Sequence, residues 1–447
     1  MDKNRFSLLD SDKLCFLCLE TASETCSFCD IPYCCQDHLR QHYNEKLDYC
    51  YPFRVLQRPE VSAKTSVCFL RFFQNLFCKV GRYVVATRDL EPLDLIMLDD
   101  PVLLGLNHDS QPACVECMKP LDNEIRCPHC PLTCCSNKCV NQGQYWHALE
   151  CKIFNENQKL DKSLILPLRA LQLKENRPEK WKKFSLLMDQ DEDNKIETEL
   201  LEQNLNTIET LQSLGYDLKD ILKVLGIIRM NSLRLQDPEL KMHGITGRVV
   251  YPTLSYLSHS CVCNARYKMS RDHQITVRAQ SEIKKGEEIT IQYVSFMHGN
   301  VKRRKTFQNT WYFECKCIRC IDTTELDTFI SALKCQQCIR GFLLPTNASD
   351  ANEWSCDKCD NKANYCLVKE TIDFCFDKLY ECNANGIPEV NAYEELLDIF
   401  LQKLHPNHYM GTYLLLSKVI TCLTSKYCIF FPFSFDCKTL PSRKLFP

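Results

Sequence analysis

The chain reads as an α+β protein in which small β-sheets and helical regions are combined with cysteine-rich zinc modules. Three observations predict this. Of the 447 residues, 32 are cysteines, many of them in C-x-x-C pairs. Period-two alternation marks short strands near residues 81–105, whereas spacings of three and four between apolar residues mark helices from 152 to about 242. The length and the 45% apolar, 25% charged composition suit a globular protein of two or three domains.

A net charge of -2 argues against a chain that coats nucleic acid or an anionic membrane. The first residues, MDKNRFSLLDSDKLCFL, hold no apolar run of signal-peptide length behind a basic start. The expected location is therefore a reducing one, intracellular and cytoplasmic or nuclear, with no membrane partner. There, closely spaced cysteines are zinc ligands rather than disulfides, because thiolate and imidazole suit tetrahedral zinc.

The clearest zinc module is 114–151, where Cys114, Cys117, Cys127, Cys130, Cys135, Cys139, His147 and Cys151 provide eight ligands for two ions. This spacing resembles the MYND finger. The resemblance implies interleaved binding, with Cys114, Cys117, Cys135 and Cys139 on one ion and Cys127, Cys130, His147 and Cys151 on the other. Residues 1–55 are a looser copy, similar to a MYND or HIT finger, in CFLCLETASETCSFCDIPYCCQDHLRQHYNEKLDYC. Its implied sets are Cys15, Cys18, Cys34 and His38, and Cys26, Cys29, His42 and Cys50, with either Cys35 or Cys50 a spectator.

Between the fingers, 70–113 contains GRYVVATRDLEPLDLIMLDDPVLLG, whose apolar alternation around turn residues predicts strands. The helical region 152–245 carries an acidic linker, DQDEDNK. Residues 246–300 hold SHSCVCN and then GEEITIQY, and 301–322 hold FECKCIRC. Cys315, Cys317 and Cys320 need a fourth ligand. In 323–365, Cys335, Cys338, Cys356 and Cys359 are two knuckles around IRGFLLP, a zinc ribbon. Residues 366–447 are expected to be helical.

The order of His259, Ser260, Cys261 and Asn264, a G-E-E-I-x-x-x-Y strand and C-x-C-x-x-C resembles a SET domain with its post-SET zinc site. That resemblance makes Cys261 the fourth ligand and brings the total to about six zinc ions. A SET domain split by a MYND finger is similar to the SMYD family, and the extra N-terminal finger and the ribbon are most similar to its arthropod branch.

The resemblance implies an S-adenosylmethionine (SAM)-dependent protein-lysine N-methyltransferase. Tyr293 matches the catalytic tyrosine, and Trp311 and Phe313 match the aromatic wall of the lysine channel around it. Gly81, Arg82, Asn231, Ser255, Leu257, Ser258, His259 and Phe313 match the SAM site. Two positions depart from the pattern. Ser258 replaces an asparagine, worth about 1.5–3 kcal/mol if one hydrogen bond to the charged end of SAM is lost. Tyr83 replaces a glycine, which would cost about 1–2 kcal/mol if a left-handed backbone were required. Leu93 also stands where glycine is usual. The alternative is a catalytically weak or inactive zinc-finger scaffold for interaction or transcriptional regulation, whose MYND groove takes proline-containing peptides. KRRK, Lys302 to Lys305, reads as a solvated face, and nucleic acid is not an expected partner. LHPNHY, from Leu404, resembles the start of the family's repeated C-terminal helices. The remaining residues are too few for the full array, so an exposed apolar surface is expected.

Overall fold

The computed structural model describes residues 22–25, 32–45, 53–57, 82–121, 124–141, 146–189, 194–237, 240, 242–383 and 390–427. They belong to two compact units, one of Met1–His259 with Cys263–Ile291, the other of Ser260–Val262 with Gln292–Pro447.

In the first unit, two small sheets are assembled from segments on both sides of the finger. The strand Leu103–Leu106 pairs with Gly247–Val250, which pairs with Ser232–Arg234, all antiparallel. Leu95–Asp99 pairs with Ile275–Ala279, and that with Ala265–Met269. Alternation explains the second sheet, since Ile275, Val277 and Ala279 point to the core while Arg278 stays exposed. A two-residue parallel pair joins Ser258–His259 to Thr290–Ile291.

The helical region packs on the first of these sheets, with Ile165–Asn176 against Leu103–Leu106 and Leu218–Asn231 against Ser232–Arg234. Leu218–Asn231 begins at Asp217, whose carboxylate accepts from Lys219 N at 2.8 Å and caps the first turn. It buries Ile221, Leu222, Val224, Leu225, Ile227 and Ile228. Gly226 on this helix admits no side chain, because a Cβ there would lie 2.5 Å from Asp189 O. Pro178 opens the helix Pro178–Ser185, at a position where a missing N–H costs nothing.

The turn at Glu91 to Asp94 shows what a glycine-to-leucine departure does. Asp94 N donates to Glu91 O at 3.0 Å, with Pro92 second and Leu93 third at φ 77°. A type II turn needs a positive φ there, which favours glycine. Leu93 is 75% exposed and recovers little of that cost through packing. Leu93→Gly is expected to stabilise the chain by about 0.5–1 kcal/mol, after the extra freedom of glycine in the unfolded state is deducted. Urea denaturation reads this directly, and an unchanged or lower midpoint contradicts it.

Tyr83 behaves differently. It lies in the strand Arg82–Ala86, opposite Leu56 in an antiparallel pair. Its backbone is extended, so the left-handed penalty expected from the sequence does not arise.

In the second unit, the helix Asn300–Thr310 leads to the short helix Ile318–Ile321. A four-stranded antiparallel ribbon follows, Leu333–Lys334, Phe342–Pro345, Glu353–Cys356 and Lys362–Asn364. Trp354 is buried in it and donates Nε1–H to Ala351 O at 2.8 Å. The helices Tyr365–Asn383, Val390–Leu401 and Tyr409–Tyr427 pack on the ribbon through Val368, Tyr393, Phe400, Met410 and Leu414. On the last helix, Leu415, Leu416 and Val419 remain exposed.

Candidate active site and zinc centres

Cysteine and histidine side chains converge in four quartets. They are Cys114, Cys117, Cys135 and Cys139; Cys127, Cys130, His147 and Cys151; Cys261, Cys315, Cys317 and Cys320; and Cys335, Cys338, Cys356 and Cys359, with ligand atoms in each within 4.8 Å of one another. A tetrahedral ion with Zn–S near 2.3 Å has S···S edges of about 3.8 Å. The structure gives 3.6 Å for Cys117 to Cys135, 3.7 Å for Cys127 to Cys151, 3.4 Å for Cys261 to Cys320 and 3.7 Å for Cys338 to Cys356. These are too long for disulfides and suit zinc.

In the N-terminal finger, Cys34 Sγ lies 3.3 Å from His38 Nδ1 and 3.9 Å from Cys35 Sγ. Cys35, one of the two residues expected as a spectator, stands in this cluster. Cys15, Cys18, Cys26, Cys29 and Cys50 lie outside the described residues, as do the His42 side chain and Gly81.

The knuckles arise from local backbone geometry. In the ribbon, Gly341 N and Lys358 N donate to the thiolates of Cys338 and Cys356 at 3.3 and 3.4 Å. In the MYND finger, Ser136 Oγ accepts from Cys139 N and starts the helix Asn137–Asn141. His147 is oriented by Glu150, whose Oε1 lies 3.2 Å from Nδ1, leaving Nε2 3.4 Å from Cys130 Sγ on the metal side. Glu150 is fully buried against Arg169, which also donates to Leu104 O and Val115 O at 2.8 and 2.6 Å. Burial pushes the Glu150 carboxyl up, but Arg169 and His147 outweigh it and hold it below its ordinary value. Arg169→Met would strand that carboxylate. The expected cost is about 3–5 kcal/mol, with partial recovery in Arg169→Met/Glu150→Gln. Denaturation midpoints of the two variants check this, and equal losses in both contradict the pairing.

The residues matched to the SAM site lie in the first unit, apart from Phe313. Asp99 Oδ2 accepts from Thr253 N and Leu254 N at 2.8 Å each and fixes the turn Leu254–Tyr256. Burial pushes the Asp99 carboxyl up to about 7, against the pull of those two donors. Ser255 Oγ donates to Tyr251 O at 2.7 Å, and the Leu257 side chain is fully buried, so Leu257 offers only backbone groups. Ser258 and His259 are half-buried on their short strand. The Asn231 amide donates to Ile227 O and Met188 O at 2.9 and 2.8 Å. Arg82 lies over the Tyr256 ring at 4.7 Å and donates to Leu186 O.

Asn264, last residue of SHSCVCN, clasps the strand that follows. Its Nδ2 donates to Glu288 O at 2.9 Å and its Oδ1 accepts from Thr290 N at 2.8 Å. Asn264→Ala would leave both backbone groups without this partner, at about 1–3 kcal/mol. A shift of that size in the urea midpoint is expected, and none would contradict the clasp.

In the second unit, the ring centroids of Tyr293 and Trp311 are 5.1 Å apart, and Phe307 stacks on Phe313 at 5.0 Å. These rings adjoin Cys261, Cys315 and Cys320 in one apolar cluster. The bend between Trp311 and Phe313 comes from Tyr312 at φ 56°, a left-handed residue just past the end of the helix Asn300–Thr310.

KRRK corrects its sequence reading. It lies within that helix, with Arg303 fully buried and Arg304 held by Glu314 at 2.7 Å and by Cys320 O at 3.0 Å. It is not a solvated basic face. Sequence reasoning also missed Glu150, Arg169, Asp99, Arg303 and Phe307, and it named Asn264 as part of the motif without its partners. Apart from Phe307, whose ring partners Trp311 and Phe313 are near in sequence, these residues meet groups far along the chain, and only the H-x-x-E spacing of His147 and Glu150 was a local signal.

A SET domain profile matches residues 81–294, the span that contains the split sheets and the finger. Among curated proteins, SmydA-8 isoform A of Drosophila melanogaster is 25% identical over 320 residues, covering 67% of this chain and 67% of that protein. Histone-lysine N-methyltransferase SMYD3 of Mus musculus is 26% identical over 335 residues, covering 70% and 73%. N-lysine methyltransferase SMYD2 of Homo sapiens is 25% identical over 222 residues, covering 46% and 50%. Residues 81–294 thus match the SET domain, and the chain is similar to SMYD proteins over about two thirds of its length.

Proposed function

We propose that the chain is a SAM-dependent protein-lysine N-methyltransferase. The observation that carries this reading is the aromatic cluster of Tyr293, Trp311, Phe307 and Phe313 beside the post-SET thiolates, in a chain whose relatives are named lysine methyltransferases.

SAM supplies a methyl group on a sulfonium, open to attack by a neutral amine. Lysine has an ordinary pKa of about 10.4, so the chain must favour its uncharged form. Trp311 and Phe313 strip water from the lysine stem, and desolvation lowers the amine pKa. The Tyr293 hydroxyl accepts a hydrogen bond from the amine and aims its lone pair. With SAM held, the amine would take its methyl group as the S–C pair stayed on sulfur, and the proton left on nitrogen would pass to solvent.

The substrate is a protein lysine, and the MYND groove is the place for a proline-containing peptide. An intracellular site agrees with thiolate zinc centres. No described helix is long and apolar enough to cross a membrane.

Two observations favour a catalytically weak scaffold as the second reading. Ser258 stands where the family has asparagine, and the Asn231 amide is already engaged by Met188 O and Ile227 O. Ser258→Asn restores one hydrogen bond to a charged group and is expected to tighten SAM binding about ten- to a hundred-fold. Thermal stabilisation by SAM separates the readings. A rise in melting temperature supports the enzyme, and none in either wild type or Ser258→Asn supports the scaffold.

A further inference from the structure

We propose that Arg303 is a positioning residue of the post-SET zinc site, donating to the Cys320 thiolate and offsetting the charge of the four-thiolate centre. Its side chain is fully buried, with Nη2 3.3 Å from Cys320 Sγ and Nη1 donating to His298 O at 2.7 Å. Nη1 also pairs with Glu325, which is 1% exposed. That carboxylate is held in turn, since it accepts from Asn300 N at 2.9 Å, from Arg319 Nε at 3.1 Å and from Ser331 Oγ.

A buried guanidinium is costly unless its charge is met, and an Arg–Glu pair in a protein interior roughly breaks even against apolar packing. Folding stability alone is therefore a weak reason for the arrangement. The metal site supplies a stronger one. Four thiolates around a divalent ion leave two net negative charges in an apolar cluster with Val294 and Phe307. Arg303 and Arg319 against Glu325 return one positive charge beside them.

A guanidinium donating to a thiolate draws electron density from sulfur, which makes the sulfur a poorer nucleophile and protects the ion from displacement. Glu325 fixes the guanidinium as a carboxylate fixes a metal-bound histidine. The ribbon offers a control within the same unit. Its thiolates receive Gly341 N–H, Lys358 N–H and the Asn361 amide at 3.3 Å, all uncharged donors. Phe307 lies one turn beyond Arg303 on the same helix, so the contact also ties the post-SET ion to the aromatic cluster.

The test uses the full zinc-loaded chain, treated with iodoacetamide while each cysteine is followed by mass spectrometry. Arg303→Lys keeps a charge for Glu325 but loses the fork that reaches sulfur. It is expected to speed alkylation of Cys261, Cys315, Cys317 and Cys320 by about tenfold, leaving Cys335, Cys338, Cys356 and Cys359 at wild-type rates. Arg303→Met is expected to reach the upper part of the roughly 10–100-fold range for lost outer partners of a metal ligand. Glu325→Gln should give the same selectivity. Wild-type rates at the post-SET cysteines in Arg303→Lys would overturn the proposal, as would equal acceleration at the ribbon. Should Arg303→Met or Glu325→Gln fail to fold by circular dichroism, Arg303→Lys decides by the same criteria.

Discussion

Cys261→Ser is expected to remove one zinc ion per chain, although Cys261 lies more than fifty residues from the other ligands of its site. Structural zinc contributes folding energy directly, about 10–16 kcal/mol apparent in zinc-finger peptides, and much of that contribution is lost with one thiolate. The damage should be local. Cys261 packs with Phe307, Cys315 and Cys320, and Trp311 and Phe313 pack against the same cluster. New protease cleavage between about 311 and 321 is therefore expected, with the ribbon and the MYND finger still loaded. Unchanged zinc stoichiometry in the variant would contradict the assignment.

Tyr293→Phe has the largest expected effect on turnover. The ring alone preserves the contact with Trp311 at 5.1 Å, so stability and SAM affinity should be near wild type. On the proposed reading the hydroxyl aims the amine for transfer, and loss of one such oriented group costs about 10²–10³ in kcat. Single-turnover transfer of labelled methyl to a lysine-containing protein substrate reads this. A variant that keeps wild-type turnover would leave Tyr293 as a packing residue.

The metal quartets were legible because zinc ligands are encoded by spacing. C-x2-C-x9-C-x2-C-x4-C-x3-C-x7-H-x3-C names its own eight members, and Cys335, Cys338, Cys356 and Cys359 form a self-contained set. Cys261 was legible only through resemblance, since nothing local links it to Cys315. The strands and helices followed from periodicity.

What escaped were groups whose role depends on partners remote in sequence. Asn264 meets Glu288 O and Thr290 N, and Arg169 meets Glu150, through contacts that no local pattern announces. Arg303 was misread because a run of basic residues looks the same whether it faces water or an ion pair. Tyr83 was charged with a left-handed cost that its extended strand does not incur, whereas Leu93 does sit at a positive φ.

SAM is the methyl donor of the proposed reaction, and calorimetric titration of the zinc-loaded wild-type chain with SAM tests that most directly. Saturable binding of one SAM per chain is the predicted result, tightened about ten- to a hundred-fold by Ser258→Asn. No saturable heat from either protein, at concentrations where Cys261 and the ribbon cysteines are shown to hold their zinc, would contradict the methyltransferase and leave the zinc-finger scaffold in its place.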